Sequence, residues 1–412
     1  MNNLPRRAFL TGSLGGISTL ALANVLAAKD KETAKPSDKK TELPLPKGSS
    51  LFLTWWTDPT TTMVIQWVAP REPNALVFVS ELASDDWGAA AVVTKPFPDT
   101  DHVVHRCELS GLRPDTEYRF CLQGHRTIHR FRTMPAKANN IISFVSGGDC
   151  GTGKSAISTN ILAAKQEPYF AFLGGDLAYD NGRSPATFLT FLQNYSRHMI
   201  DPQGRMIPML SCIGNHEVNG KYAPHYLSVF DGLFAQATYG VIDIGDYLSL
   251  VVLDTGHLAP VKGAQTAWLE TALKEREQRP HLLVANHVPA YPSFRSYETT
   301  GSDSRKYWCP LFEKFNVDIV LEHHDHTYKR THRLTDGLKD RNGVLYMGDG
   351  SWGQLRPIHK PEDRPYLATW SQANHLMVHR LEGDQRFHIA LEGSGKVADV
   401  CSSFGKRPAR RA

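Results

Sequence analysis

Five short apolar runs in this chain each end in side chains suited to metal binding or proton transfer. Ile141–Ser146 leads into Gly148-Asp149-Cys150-Gly151, and Tyr169–Leu173 leads into Gly175-Asp176-Leu177-Ala178-Tyr179. Met206–Cys212 leads into Gly214-Asn215-His216-Glu217, His281–Ala285 into Asn286-His287, and Val317–Leu321 into His323-His324-Asp325-His326. One such piece means little, because a histidine after a strand is more often structural and an Asn-His pair usually serves a turn. Five together, each past a buried strand, are poorly explained by packing. Asp176 and Tyr179 stand out, an acid and a phenol three residues apart in one loop. His324 and His326 alternate, so an extended loop points both at one place.

Asp149, Asp176, Tyr179, Asn215, His287, His324 and His326 make seven donors. With Asp176 bridging, each of two metals receives four protein ligands, leaving room for a hydroxide and a substrate oxygen. Mixed oxygen and imidazole donors suit first-row transition metals in five- or six-coordinate sites. Two such ions about 3.5–4 Å apart form a clamp for in-line displacement at phosphorus.

The elements that must position these residues have their own signatures. Residues 264–278 carry Trp268, Leu269, Ala272 and Leu273 on one helical face. Strands alternating with helices over 136–405 imply an α/β domain. Residues 49–135 instead hold short strand-like runs at intervals of roughly ten residues, as in a β-sandwich. Leu112-Arg113-Pro114-Asp115-Thr116-Glu117-Tyr118 fits a tyrosine corner. With Tyr118, Phe120 and Leu122 inward, the two-residue period turns Cys121 outward, so a Cys107–Cys121 disulfide is not expected. Residues 49–135 read as a scaffold without site chemistry.

The ordered motifs Asp149-x-Gly151, Gly175-Asp176-x-x-Tyr179, Gly214-Asn215-His216-Glu217, Val284-x-x-His287 and His324-x-His326 resemble those of the purple acid phosphatases, within the calcineurin-like metallophosphoesterases. The resemblance spans nearly all of the chain beyond its leader. It takes in Val251–Thr255, the Gly348-Asp349-Gly350 loop and a final Val397-Ala398-Asp399. It implies an all-β, fibronectin III-like sandwich followed by an α/β metallophosphoesterase domain, a β-sandwich flanked by helices. It also implies hydrolysis of phosphate monoesters by a metal-bound hydroxide. Asp149, Asp176, Tyr179 and His326 would hold Fe(III), and Asp176, Asn215, His287 and His324 a divalent iron, zinc or manganese. A phenolate is a hard anionic donor and favours the trivalent ion. His216 would donate a proton to the leaving group, or else only orient phosphate or bond Glu217. Most relatives have a histidine two residues after the first Asp, where Gly151 stands, and Tyr179 is present in compensation. His323 replaces a glycine usual before His-x-His and could crowd the site or contact phosphate. Phe294-Arg295-Ser296-Tyr297 lies where many relatives carry a histidine pair. Arg295 or Tyr297 replaces that contact, or both are exposed loop residues.

The first 28 residues contain Arg6-Arg7, no acid, and a weakly apolar stretch with small residues at its end. They resemble a twin-arginine export signal and are too weakly apolar for a membrane span, so a periplasmic or extracellular protein without stable membrane insertion is expected. Residues 29–48 read as a charged linker and 406–412 as a basic tail. A formal charge of +4, partly in these tails, is too small to imply nucleic acid. Gly148–Ser155 also matches the P-loop pattern, between a strand and a helix. A nucleotide-binding protein would leave Asn215, His216, His287, His324 and His326 without a role. A phosphodiesterase using the same cluster is the nearer alternative.

Overall fold

Short antiparallel strands fill residues 52–132 of the computed structural model, which describes residues 50–234, 237–348, 350–358 and 360–405. The leader, the linker and the basic tail lie outside the described residues. Eight strands form: Phe52–Thr54 (β1), Met63–Pro70 (β2), Leu76–Glu81 (β3), Gly88–Ala91 (β4), Val93–Pro96 (β5), His102–Leu109 (β6), Glu117–Leu122 (β7) and His129–Arg132 (β8). They make two four-stranded antiparallel sheets, β1-β2-β6-β5 and β4-β3-β7-β8. On β7, Tyr118, Phe120 and Leu122 are buried while Glu117, Arg119 and Cys121 are half-buried. The Tyr118 hydroxyl accepts the Arg113 N–H at 2.8 Å, closing the tyrosine corner. Cys107 and Cys121 belong to different sheets, and all six cysteines are free thiols.

The second domain holds two mixed sheets. Ile142–Gly147 (β9), Ala171–Leu173 (β10) and Met209–Ser211 (β11) run parallel, separated in sequence by the helices Lys154–Ala164 (α1) and Pro185–His198 (α2). Pro224–Phe230 (α3) follows. Gly240–Ile244 (β12) and Leu248–Leu253 (β13) form a hairpin, then Thr266–Glu275 (α4) leads to His281–Asn286 (β14). Ser302–Tyr307 (α5) and Cys309–Lys314 (α6) precede Ile319–Glu322 (β15), Tyr328–Thr331 (β16), the small pair Leu334–Thr335 (β17) and Leu338–Lys339 (β18), and Leu345–Gly348 (β19). Leu367–Ser371 (β20), His375–Glu382 (β21), Gln385–Glu392 (β22) and Val397–Phe404 (β23) complete the fold. The sheet orders are β11-β10-β9-β21-β22-β23 and β12-β13-β14-β15-β19-β16-β20.

Every residue of β13 and β14 is buried, as parallel strands covered on both faces must be. Leu282 and Val284 pack with Leu269 and Leu273 of α4 and Phe312 of α6. Towards the other sheet, Tyr328 and Arg330 of β16 both reach Asp399 of β23 at 2.6 Å. α4 starts at Thr266, two residues later than its apolar pattern suggests, because Gly263 (φ 103°) breaks the preceding turn. The N-terminal sandwich is tied to this domain by Arg106–Asp231 at 2.7 Å and by Gln66 donating to the Val229 carbonyl at 3.0 Å. The outcome that matters for function is directional. Carboxyl ends of β9, β10 and β11 in one sheet, and of β14, β15 and β19 in the other, feed their loops to a common edge, where α/β folds collect ligands.

Candidate metal centre

Five of the seven expected donors adopt a backbone conformation that side-chain-bearing residues avoid. Asp149 (φ 57°), Asp176 (52°), Tyr179 (60°), His324 (79°) and His326 (62°) are all left-handed. Such residues each cost on the order of 1–3 kcal/mol and persist only where surroundings enforce them. The enforcement is visible. The N–H groups of Asp149, Cys150 and Gly151 donate to the carbonyls of Gly175, Asp176 and Leu177 at 3.0, 3.0 and 2.9 Å. This prolongs the β9–β10 pairing into the loops. Glu217, buried, accepts from the N–H groups of Asp176 (2.8 Å), Leu177 (2.7 Å) and Gly214 (2.7 Å). Gly350 (φ 73°) lies so close that a Cβ there would stand 1.7 Å from Asp149 Oδ2.

Two groups of donors result. In one, the Tyr179 hydroxyl is 3.2 Å from Asp149 Oδ1 and 2.9 Å from His326 Nε2, with His326 Nε2 3.0 Å from Asp149 Oδ1. In the other, His287 Nε2 is 3.2 Å from Asn215 Oδ1, 3.0 Å from His324 Nδ1 and 3.3 Å from Asp176 Oδ2. Donor atoms of Asp149, Asp176, His287 and His324 all lie within 4.8 Å of one another. Asp176 Oδ2 is buried without a hydrogen-bond donor of its own. Lone pairs facing lone pairs around an orphaned carboxylate oxygen are what a cation would satisfy, so the residues fit a metal pair.

The electrostatics are those of crowded charge. Burial alone would raise the Asp176 carboxyl, but the charge of the neighbouring His287 outweighs it and holds it below the usual range. Burial would lower His287, yet Asp176 pushes it up to about 10. Burial, with the charge of His287, depresses His324. Burial and then the charge of Asp176 push Glu217 up to about 8, against the amide hydrogen bonds it accepts. His216 lies at the mouth, with its Nδ1 on Asn181 Oδ1 and its Nε2 3.9 Å from Asp176 Oδ2. Its ring packs against that of Tyr179 at 4.3 Å.

The three residues expected at the substrate are engaged with other groups of the protein. His323 is buried beneath the site, with Nδ1 on the Asn286 carbonyl at 2.8 Å, and burial pushes it down to about 3. It fills space left by two glycines: a Cβ at Gly174 would come within 1.9 Å of its ring, and one at Gly148 within 2.9 Å. Arg295 is held by Asp325 Oδ1 at 2.7 Å and by the His324 carbonyl at 2.5 Å, so it braces the loop that carries His324. Tyr297 stacks in an aromatic cluster with Tyr291 and Tyr366, beneath the Arg305 guanidinium, away from the donors.

Other residues near the donors were not singled out in the sequence. Asp325 accepts the N–H groups of Ser293 and Phe294, both at 2.7 Å. His257 sits edge-on to His287 at 5.6 Å. Arg356 donates from Nε to His326 Nδ1 at 3.2 Å. The Gln354 amide covers Gly151, 2.5 Å from where a Cβ would be. Asp325 sits within the His323–His326 motif, whereas His257, Gln354 and Arg356 reach the site from loops that carry no motif. The P-loop match is not borne out by geometry. Three of its amides, those of Asp149, Cys150 and Gly151, are spent on the neighbouring loop, whereas a phosphate cradle needs its amides free, and Lys154 is exposed at the start of α1.

Comparison with known proteins agrees with this picture. Residues 148–328 match the family description "Calcineurin-like phosphoesterase", and 49–133 match "Purple acid Phosphatase, N-terminal domain". Purple acid phosphatase 5 of Arabidopsis thaliana is 25% identical, over 82% of this chain and 89% of its own. The Fe(3+)-Zn(2+) purple acid phosphatase 12 of the same plant is 24% identical, over 73% and 72%. The solved structure of purple acid phosphatase PPD1 from yellow lupin seeds superposes with a TM-score of 0.69 at 17% identity, covering 86% of this chain and 73% of that one. Fold and site together define a metallophosphoesterase, a phosphatase enzyme whose metal-rich domain follows a β-sandwich. Within that class the chain joins a calcineurin-like phosphoesterase domain to a purple acid phosphatase N-terminal domain, and is similar to purple acid phosphatases over most of its length.

Proposed function

We propose that this protein is an exported acid phosphatase that hydrolyses phosphate monoesters. In this reading Asp149, Asp176, Tyr179 and His326 hold Fe(III), and Asp176, Asn215, His287 and His324 hold a divalent iron, zinc or manganese. The observation that carries it is the convergence of two donor groups on Asp176, whose buried Oδ2 lacks a hydrogen-bond donor. A relative named for an Fe(3+)-Zn(2+) pair supports pairing a trivalent with a divalent ion. When bound, the two ions activate water for attack on phosphorus and neutralise charge on the transferring phosphoryl group. The chain's own residues do the rest. Glu217 and the β9–β10 loop ladder fix Asp176 in place before substrate arrives. Asn181 takes the Nδ1 side of the His216 ring, leaving Nε2 turned towards Asp176 and free to pass a proton to the departing alkoxide. Arg6-Arg7 and the following weakly apolar stretch support export by the twin-arginine route.

The reading is tested by purified protein with its metals assayed and a panel of aryl mono- and diesters. Monoester turnover with an acidic to neutral optimum, abolished by chelation and restored by iron with zinc or manganese, is the expected result. Turnover of diesters alone would reassign the chain as a phosphodiesterase. Replacing Arg6 and Arg7 with lysine should keep the full-length precursor inside the producing cell.

A further inference from the structure

A cavity of about 580 Å³ opens directly on His324. That is within the range of about 300–1,000 Å³ typical of small-molecule sites. Its lining includes a run of hydroxyl side chains, with Thr255, Thr299, Thr300 and Ser302 among the contributors. Lys262 and Asp303 supply one charge of each sign, so the walls favour neither an anionic nor a cationic guest. No phenylalanine, tyrosine or tryptophan is among the described residues that line it, so nothing there stacks on an aryl ring or nucleobase.

Both walls are built rather than slack. On one side Asp254 accepts four successive backbone N–H groups, those of Gly256, His257, Leu258 and Ala259. Gln265, also buried, ties the Asp254, Ala259 and Pro260 carbonyls together at 2.9, 3.2 and 3.2 Å. On the other side Arg305 binds the carbonyls of Ala290, Tyr297 and Thr300. The Thr299 and Thr300 hydroxyls have no partner among the described residues. Thr299 is exposed and Thr300 half-buried, so both hydroxyls face the opening where a guest can reach them.

Resting on the phosphohydrolase reading, we propose that this cavity seats the alcohol part of the ester, and that its substrates are phosphate monoesters of polyhydroxylated, uncharged alcohols: sugar or polyol phosphates. A phosphoryl group bound beside His324 would place its ester oxygen at the cavity's mouth and a chain of hydroxyls along Thr299 and Thr300. A site built to hydrogen-bond hydroxyls discriminates strongly against a partner that lacks them.

The test uses metal-loaded protein and the ratio of kcat/KM for a hexose 6-phosphate to that for an aryl phosphate. It compares the natural chain with a Thr299→Leu/Thr300→Leu variant, metal content and thermal midpoint being measured alongside. A ratio that falls about tenfold or more in the variant, with two metals and the fold retained, supports the proposal. A ratio that stays within about twofold overturns it, as would natural protein that turns over aryl phosphate but no sugar or polyol phosphate. Silence towards every ester at full metal content would instead overturn the phosphohydrolase reading beneath it.

Discussion

Tyr179 and His323 show how far single residues could be read. Tyr179 made sense beside Gly151, and its hydroxyl does lie between Asp149 and His326. We expect iron-loaded protein to be violet to pink, and a Tyr179→Phe variant to lose that colour while keeping part of its activity; colour surviving the change would remove Tyr179 from the iron. His323 was read through its neighbours in sequence, whereas its role is set by glycines at Gly148 and Gly174 that approach only in space. Its replacement by alanine leaves a cavity, and should cost about 2–4 kcal/mol of stability with KM for an aryl phosphate little changed. Chemical denaturation and steady-state kinetics check this together. A raised KM at full stability would return His323 to the substrate. Arg295 teaches the same lesson, for the Asp325 that claims it comes from thirty residues further along the chain.

At the scale of elements, strands with dense apolar alternation were legible and sparse ones were not. β7 follows its pattern residue by residue. β4, a Gly-Ala-Ala-Ala run, and β5, ending in Pro96, carry no such pattern and owe their order to pairing with β3 and β6. The loops at the carboxyl ends of β9, β10, β11, β14 and β15 announced themselves because their residue types are costly anywhere else. The left-handed backbone at five donors could not be seen in the sequence, since only glycine advertises that conformation. β21 carries a further consequence. Burial pushes His375 and His379 down to about 3, and His379 meets His388 of β22 at 2.8 Å. These rings stay neutral in the fold but take up protons when unfolded, below an ordinary value of about 6.5. The unfolded state therefore binds more protons, and stability is full above about pH 6.5 and lost as pH falls towards about 3. At pH 5 the loss is on the order of 2 kcal/mol for each of the two histidines. Urea unfolding at pH 7 and pH 5 measures it; equal midpoints would contradict it.

For the whole molecule, the sandwich domain is more than a bystander. Phe97 stacks on His225 at 5.6 Å, and His225 Nδ1 meets Asp180 at 2.6 Å, next to Tyr179. With Arg106 and Gln66 it anchors the β domain against the segment that props the Tyr179 loop. A Phe97→Ala change should lower stability by about 3–5 kcal/mol, seen as a lower thermal midpoint; an unchanged midpoint would make the two domains independent. Domain order and the donor set were legible because both rest on local residue patterns, while the packing between domains rests on pairs such as Arg106 and Asp231 that no local pattern links. The central claim is that this fold assembles a two-metal phosphohydrolase. Metal analysis of the purified protein, paired with phosphate release from an aryl monoester, tests it most directly. The account predicts two transition-metal ions per chain, one of them iron, and hydrolysis that disappears and returns with the metals. A chain that binds two ions and releases no phosphate from any ester, or one that hydrolyses esters after both ions are stripped, would contradict it.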